Sequence, residues 1–557
     1  MPQQAFGFHR SIATADLGCV IVCLSLSNAD MTIICNGQTK TIKTSGGTAV
    51  WVSVGTDAPV GHPFTGSRIG YSASVSFTGF QGNQNYTYSV AQSGTTYTAN
   101  IYVAPANDYT DFSIFNNTCD NNTSIGGSAP GYYQYMRQYV ESNQLPVPGY
   151  THIDDHFGYV DFALVDDEAG TGHYHISKKA GGTAKGGGAF LQGATPAETK
   201  YEYDYALAYF AFFGLLADAS NSYVVYGHHV DIIWCSRNLG KLPQLGDHDG
   251  GANEMGWDIV SSTSAAFTSA MVLWDLIVTP LVAAEQAVTR NRDVVARHFA
   301  KSLGPLRIIA TDSITRGSGN AILPLDAGNG PTTVYGNNQI DDCLDAANTN
   351  HAFKILLLAN SIRYMAITGQ GGVTLNKNNA LAQNPLADEC PTQYARLMTA
   401  AGGAPKSLMD NPKTNGVLST MIAVHGDVHL ATVIENKSTA GALPEWFYSI
   451  NIGTGTGSIN FPNGYNLAPG YTHGGSTLKM VSTGAVGGAV SGNHFFGSRF
   501  DVRASESPKR IIARSFDRNN SVLWEGQFVH SVGGNGAYPL SAVLGRSAGA
   551  IGSGDLT

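Results

Sequence analysis

The texture of the chain changes across residues 104–110, and that change limits what it can fold into. Before it, GCVIVCLSL, MTIICNG, AVWVSVG, SASVSFTG, YTYSVA and YTANIYVA are short apolar or alternating runs, separated by Gly, Asn, Ser and Asp turns. Runs of this kind predict the strands of an antiparallel sandwich. The segment APANDYT reads as a linker. Beyond it, FSIF, YTHI, KLPQL, RIIAT, FKILLLA and TMIAV read as strands, and residues 203–219, 265–278 and 281–300 carry helical patterns. Alternation of strands and helices predicts an α/β domain around a central sheet. Strands return after Trp446 with FYSINIG, LKMVSTG, RIIARSF and SVLWEGQFVH. The expected division is an N-terminal β-sandwich over residues 1–105, an α/β domain over 106–533 and a Gly/Ser-rich tail over 534–557.

The 557 residues allow roughly two large or three ordinary domains. Hydrophobic residues make up 43%, enough for a sizeable core. Charged residues make up only 13%, against about 25% in an ordinary domain. With 66 glycines, this composition suits a loop-rich β or α/β protein of a cell or virion surface. The net charge of -9 argues against general nucleic-acid binding, which leaves a basic footprint.

No stretch reaches the eighteen or so apolar residues of a membrane span. Residues 17–27 resemble the apolar core of a leader peptide, but Asp16 offsets Arg10 and no positive region precedes them, so they read as a strand. The expected location is extracellular or surface-exposed, without a recognisable cleaved signal peptide. The seven cysteines are odd in number and form no CxxC pair, which excludes a zinc knuckle and favours reduced core thiols. Cys19 and Cys23, four apart, face one side of a strand. Glycosylation sequons occur at Asn85, Asn116, Asn121, Asn122, Asn436 and Asn519, as several will by chance in an Asn-rich chain.

Three clusters share one layout, in which an apolar strand ends and an acid with a histidine follows. They are Thr151-His152-Ile153-Asp154-Asp155-His156, Leu245-Gly246-Asp247-His248-Asp249 and His425-Gly426-Asp427-Val428-His429. Ligands of open α/β sheets sit beyond the carboxyl ends of the strands, so three such ends can bring Asp155, Asp247, Asp427 and His429 together. Mixed carboxylate and imidazole donors suit a pair of metal ions. A single Asp-His pair is more often a cap or a turn; three at strand ends are harder to dismiss. His228 and His229 point apart and read as structural, and Glu202 and Asp204 as helix N-terminal charges. Residues 170–188, rich in Gly, Lys and Thr, read as a mobile surface loop carrying His173 and His175, since the phosphate-loop pattern GxxxxGK[ST] is absent.

The order of these clusters resembles the metallophosphatase blocks GD, GNH[DE] and GHxH. Gly246-Asp247-His248-Asp249 matches the second with Asp for Asn, and Gly426-Asp427-Val428-His429 the third with Asp for His. Both changes are typical of PhoD-like alkaline phosphatases and phosphodiesterases. Residues 112–119, ending in Cys119, resemble that branch's first core strand and Cys ligand; residues 307–312 with Arg316, residues 336–344 and Pro444-Glu445-Trp446 resemble later motifs. VSFTGFQGNQNYTYSV resembles the fibronectin-like strand pair of its N-terminal domain. The resemblance runs from about residue 7 to about residue 530. Three departures stand out. Trp-Asp-Asp-His becomes Leu245-Gly246-Asp247-His248, the Gly before the bridging Asp is Asp154, and the Tyr ligand falls one residue late, at Tyr159.

The resemblance implies a four-layer α/β/β/α metallophosphatase domain behind the sandwich, with a dinuclear site. Asp155 would bridge the metals; Cys119, His429 and Tyr159 would complete the first site; Asp247 and Asp427 would hold the second. On chemistry alone Cys119 could equally be an inert core thiol. His248 would face the scissile phosphate, with Arg316 binding substrate; Asn253 is a further polar candidate or a turn residue. The implied metals are ferric iron with calcium, zinc and manganese being alternatives, and the implied activity is hydrolysis of phosphate mono- or diesters of small molecules, lipids or nucleotides. A surface or virion assembly protein on the same fold with a weakened site is the competing expectation, and the long apolar β domain permits a homo-oligomer. A carbohydrate-binding or adhesive module is a third, suggested by the sandwich and scattered aromatics.

Overall fold

The structure is a computed structural model. It describes residues 6–10, 18–54, 70–82, 84–102, 109–118, 132–142, 148–154, 164–166, 174–176, 229–244, 273–282, 298–311, 343, 351–358, 367–368, 420–425, 432–438, 446–451, 466–467, 471–473, 476–483, 497–516, 522–530 and 546–547.

The N-terminal strands are β1 (Phe6–Arg10), β2 (Cys19–Ser25), β3 (Met31–Cys35), β4 (Gln38–Lys43), β5 (Ala49–Val50), β6 (Val52–Val54), β7 (Gly70–Phe77), β8 (Asn85–Gln92) and β9 (Thr95–Tyr102). They form two sheets, ordered β1-β2-β7-β6 and β5-β4-β3-β8-β9. Two tight turns set the second sheet's register. Asn36-Gly37 joins β3 to β4 and Ser93-Gly94 joins β8 to β9, all four at positive φ, the turn geometry that matches strand twist. Inward residues of both sheets share one core, including Ile21 and Cys23 of β2, Val75 and Phe77 of β7, Ile33 of β3 and Tyr88 of β8. Burial raises the Cys23 thiol well above its ordinary range, so it stays protonated and unreactive. Cys19, Cys23, Cys35, Cys235 and Cys343 are all buried thiols, in keeping with the odd count.

The chain continues with β10 (Phe112–Thr118), α1 (Tyr132–Glu141), β11 (Pro148–Asp154), β12 (Leu164–Asp166), β13 (Tyr174–Ile176), α2 (His229–Asn238), β14 (Gly240–Gln244), α3 (Thr279–Val282), β15 (Phe299–Leu303), β16 (Leu306–Ala310), β17 (Phe353–Leu358), β18 (Ile367–Thr368) and β19 (Thr420–His425). It ends with β20 (Thr432–Ser438), β21 (Trp446–Asn451), β22 (Asn466–Leu467), β23 (Tyr471–His473), β24 (Ser476–Thr483), β25 (Gly497–Arg503), β26 (Arg510–Phe516), β27 (Val522–Val529) and β28 (Arg546–Ser547). Two large mixed sheets result, ordered β14-β11-β10-β25-β26-β27-β28 and β15-β16-β17-β19-β21-β20-β24-β23. β12 pairs with β13 and β18 with β22 in small ribbons. Strands β14, β11 and β10 are mutually parallel, as are β16, β17, β19 and β21. β17, FKILLL, is buried at every position, Lys354 included, as befits a largely apolar parallel strand covered on both faces.

The N-terminal sheets are joined to the rest by polar contacts. Tyr88 Oη donates to the Arg237 carbonyl at 2.6 Å, Asn100 N to Asn238 Oδ1 at 3.0 Å, and Ser72 Oγ to the Leu276 carbonyl at 3.4 Å. Within the seven-stranded sheet a buried charge network ties β10, β25 and β26. Ser113 Oγ donates to Asp501 Oδ1 at 2.5 Å, Arg499 Nη2 to Asp501 Oδ2 at 3.0 Å, and Arg514 also pairs with Asp501. Helix α1 covers it, with the Arg499 guanidinium 4.0 Å from the Tyr139 ring centroid.

Every strand-like segment singled out above lies in a strand. Three other expectations are corrected, while the reading of the sequons as chance occurrences stands at Asn116. The helical pattern drawn to residue 300 ends earlier, because Phe299 and Ala300 open β15 and pair with Ala310 and Ile309 of β16. Tertiary pairing outweighs the local periodicity there. The loop read over residues 170–188 contains β13, in which His175 pairs with Val165. The two strands in VSFTGFQGNQNYTYSV, β7 and β8, are not neighbours but belong to opposite sheets. Asn116 is 1% exposed and its Nδ2 donates to Ser498 Oγ at 3.4 Å, so its sequon is closed to glycosylation in the folded chain. Helices α1 and α2 have no counterpart in the sequence patterns. The pattern over 203–219 and most of the tail lie outside the described residues; within the tail, β28 pairs with β27.

His530, after β27, gives a pH signature. Burial, aided by Lys509, lowers its pKa from the usual 6.5. The unfolded chain then binds more protons than the folded one below that value, so His530 makes stability fall as pH drops through the window beneath 6.5. Urea midpoints measured from pH 7 to pH 5 are expected to fall less steeply in His530→Gln than in the parent.

Candidate functional site

The carboxyl ends of the parallel strands define the candidate site. In the seven-stranded sheet, Thr118 of β10, Asp154 of β11 and Gln244 of β14 lie side by side in register. In the eight-stranded sheet, Leu358 of β17, His425 of β19 and Asn451 of β21 do the same, and Ala310 of β16 sits beside Leu357. Each set of ends spans about 10 Å, two strand spacings of 4.7–4.9 Å.

A buried polar link joins the two edges. Gln244, the last residue of β14, donates through Nε2 to the carbonyl of Thr311, the first residue beyond β16, at 3.4 Å. Thr311 is anchored in turn, its N and Oγ1 donating to the Leu357 carbonyl at 3.1 and 3.0 Å. Gln244 is 1% and Thr311 4% exposed. A buried amide that reaches a fixed carbonyl holds the two elements in one arrangement, because either partner alone would carry a desolvation cost of about 1–3 kcal/mol. The carboxyl edges of the two sheets therefore meet where β14 and β16 end. Sequence reasoning missed this pair; its signal was a glutamine one residue before the end of KLPQL and a threonine closing RIIAT.

The residues singled out in the sequence stand just beyond these ends in the chain. Cys119 follows Thr118, Asp155 follows Asp154, Asp247 comes three residues after Gln244, and Asp427 two after His425. Cys119, Asp155, Tyr159, Asp247, His248, Asn253, Arg316, Asp427 and His429 all lie outside the described residues. Among the described residues, no group of three His, Cys, Asp or Glu could hold a metal ion. No helix among them is long and apolar enough to cross a membrane.

This topology has known counterparts. The structure of PhoD matches with a TM-score of 0.55 over 94% of this chain and 90% of PhoD, at 10% identity. The chain is PhoD-like in fold and divergent in sequence. Purple acid phosphatase PPD1 from yellow lupin (Lupinus luteus) seeds matches with a TM-score of 0.49 over 92% of this chain and 72% of that one, also at 10% identity. No family model and no curated protein matches the sequence. The likeness in fold to PhoD, the branch the sequence motifs resemble, extends across nearly the whole length of both chains.

Proposed function

We propose that the chain is a metal-dependent hydrolase of phosphate mono- or diesters, built on the PhoD fold. One observation carries the reading: two parallel strand sets end at a shared edge, joined through Gln244 and Thr311, and the chain's acid-histidine clusters follow those ends directly. That edge is where sheets of this class bind ligands.

The donor set fits a pair of metal ions by its chemistry. Cys119, Tyr159 and His429 supply thiolate, phenolate and imidazole, which suit ferric iron, while Asp247 and Asp427 offer the oxygen ligands calcium prefers. Zinc or manganese would be accepted by the same carboxylates and imidazole. Asp155 would supply a carboxylate to both ions. When bound, two metals stabilise charge on the attacking and leaving oxygens and lower the pKa of a water nucleophile. The chain's own residues do the rest. His248 donates a proton to the departing oxygen, and Arg316 with Asn253 orients the phosphoryl oxygens.

The proposed organisation is a fibronectin-like sandwich over residues 1–105, a four-layer α/β/β/α domain over 106–533 and a tail over 534–557. The shared core of the two N-terminal sheets and the two large mixed sheets support it. The proposed setting is extracellular or surface-exposed, in keeping with the low charge and high Gly content.

The experiment is hydrolysis of p-nitrophenyl phosphate and bis(p-nitrophenyl) phosphate by protein supplied with iron, calcium, zinc and manganese. The parent is expected to cleave at least one ester. His248→Ala is expected to lower kcat by about 10²–10⁴-fold with metal content unchanged. No turnover of either ester with any of the four metals would overturn the proposal.

A further inference from the structure

A cleft of about 300 Å³ opens where the N-terminal sheets meet α1 and α2. It is bounded by β9, the edge strand of the five-stranded sheet, and by α2 opposite. It sits at the start of β14, since Asn238 of its wall lies two residues before that strand. Strand β14, five residues long, carries the chain about 17 Å from there to the carboxyl edge, so this cleft and the proposed phosphoesterase site occupy opposite ends of one strand.

Its lining is chemically specific. Trp234, half-buried on α2, contributes its indole ring, with the Arg137 guanidinium 6.0 Å from the ring centroid. Exposed Thr87, Thr98 and Asn100 present hydroxyl and amide groups from β8 and β9. Those groups are held in place: Thr87 Oγ1 donates to Asn100 Oδ1 at 3.1 Å, and Asn238 accepts from Asn100 N at 3.0 Å while donating to the Trp234 carbonyl at 2.9 Å. Two arginines line the cleft. Arg137 pairs with Glu141 at 3.0 Å and with Asp231 at 3.3 Å, and the buried Arg237 guanidinium lies over the Tyr97 ring, 4.0 Å from its centroid.

We infer that this cleft binds a neutral saccharide. An anion such as phosphate only accepts hydrogen bonds and calls for exposed, uncompensated cations, whereas Arg137 is already matched by two carboxylates and Arg237 is buried over the Tyr97 ring. Amides and hydroxyls both donate and accept, as sugar hydroxyls do. An indole face covers the apolar C–H face of a pyranose, and a cleft of this size, at the small end for ligand sites, admits a short sugar chain rather than a large one. The inference stands apart from the phosphoesterase reading, because none of these residues belongs to the carboxyl edge.

The test is ligand-observed NMR by saturation transfer on the full chain, with cellobiose, maltose, lactose and N,N′-diacetylchitobiose as probes, beside calorimetry with inorganic phosphate. Two variants report on the cleft: Trp234→Ala removes the platform, and Thr98→Arg fills the space from an exposed position on the edge strand. At least one disaccharide is expected to bind the parent, and both variants to weaken it at least about tenfold, the equivalent of 1.4 kcal/mol. Circular dichroism checks that each variant is folded; should Trp234→Ala fail to fold, Thr98→Arg decides. No disaccharide signal, a signal that survives in a folded variant, or binding of phosphate alone would overturn the inference.

Discussion

Native protein is expected to carry about two metal ions per chain, and Asp155→Asn to lose most of both. In the proposed scheme Asp155 would serve both ions, so its loss would weaken both sites at once, since a carboxylate offsets the charge of the cations it holds. Cys119 follows β10 and Asp247 follows β14, on either side of β11, and each would serve one ion in the proposed scheme, so Cys119→Ser and Asp247→Asn should each deplete the sample more selectively. Elemental analysis of parent and variants, purified without chelator, makes the comparison. Metal-free parent protein after loading with iron, calcium, zinc and manganese would leave an inherited fold put to structural use, since fold does not fix function.

Asp501→Ala is expected to cost about 3–5 kcal/mol of stability, several times what the loss of a surface ion pair costs. Asp501 is 1% exposed and pairs with both Arg499 and Arg514. Its removal strands the Arg499 guanidinium, itself mostly buried under Tyr139, without a compensating charge. It also leaves Ser113 Oγ, a buried hydroxyl on β10, without its acceptor at 2.5 Å. The surface pair Arg137–Glu141 makes the contrast. It is solvent-screened, and Glu141→Gln should change stability by no more than about 1 kcal/mol. Urea unfolding of the two variants beside the parent measures both. An Asp501→Ala loss as small as that of Glu141→Gln would mean that the network contributes little beyond packing.

The strands were legible because their chemistry is local. β-branched and aromatic runs closed by Asn-Gly or Ser-Gly turns fold alike in most settings, and β3, β4, β8 and β9 lie where those turns put them. The largely apolar run of β17 marked a covered parallel strand. The helices were harder. Helix α1, YYQYMRQYVE, is built from aromatic residues that suit strands as well, and it is held by tertiary contacts: Phe115 on β10 meets Tyr139 edge-on at 5.8 Å, and Tyr135 packs on Phe516 at 4.5 Å. No periodicity within ten residues announces such a partner. At the end of the 281–300 pattern the same force acted in reverse, as pairing with β16 drew Phe299 and Ala300 into a strand.

The sequence by itself determined which residues follow strand ends, because an acid beside a histidine after an apolar run is a linear pattern. It also pointed to reduced core thiols rather than a zinc knuckle, from an odd count and irregular spacing, and Cys19, Cys23, Cys35, Cys235 and Cys343 are such thiols. Only the tertiary structure decided that the carboxyl edges of two separate sheets meet, through a glutamine and a threonine 67 residues apart. It likewise decided that Asp501 reaches Ser113 across 388 residues of chain and that α2 closes a cleft against β9. Such contacts depend on strand order and register, and those are set by which faces can be buried together, a property of the whole fold that no local segment carries.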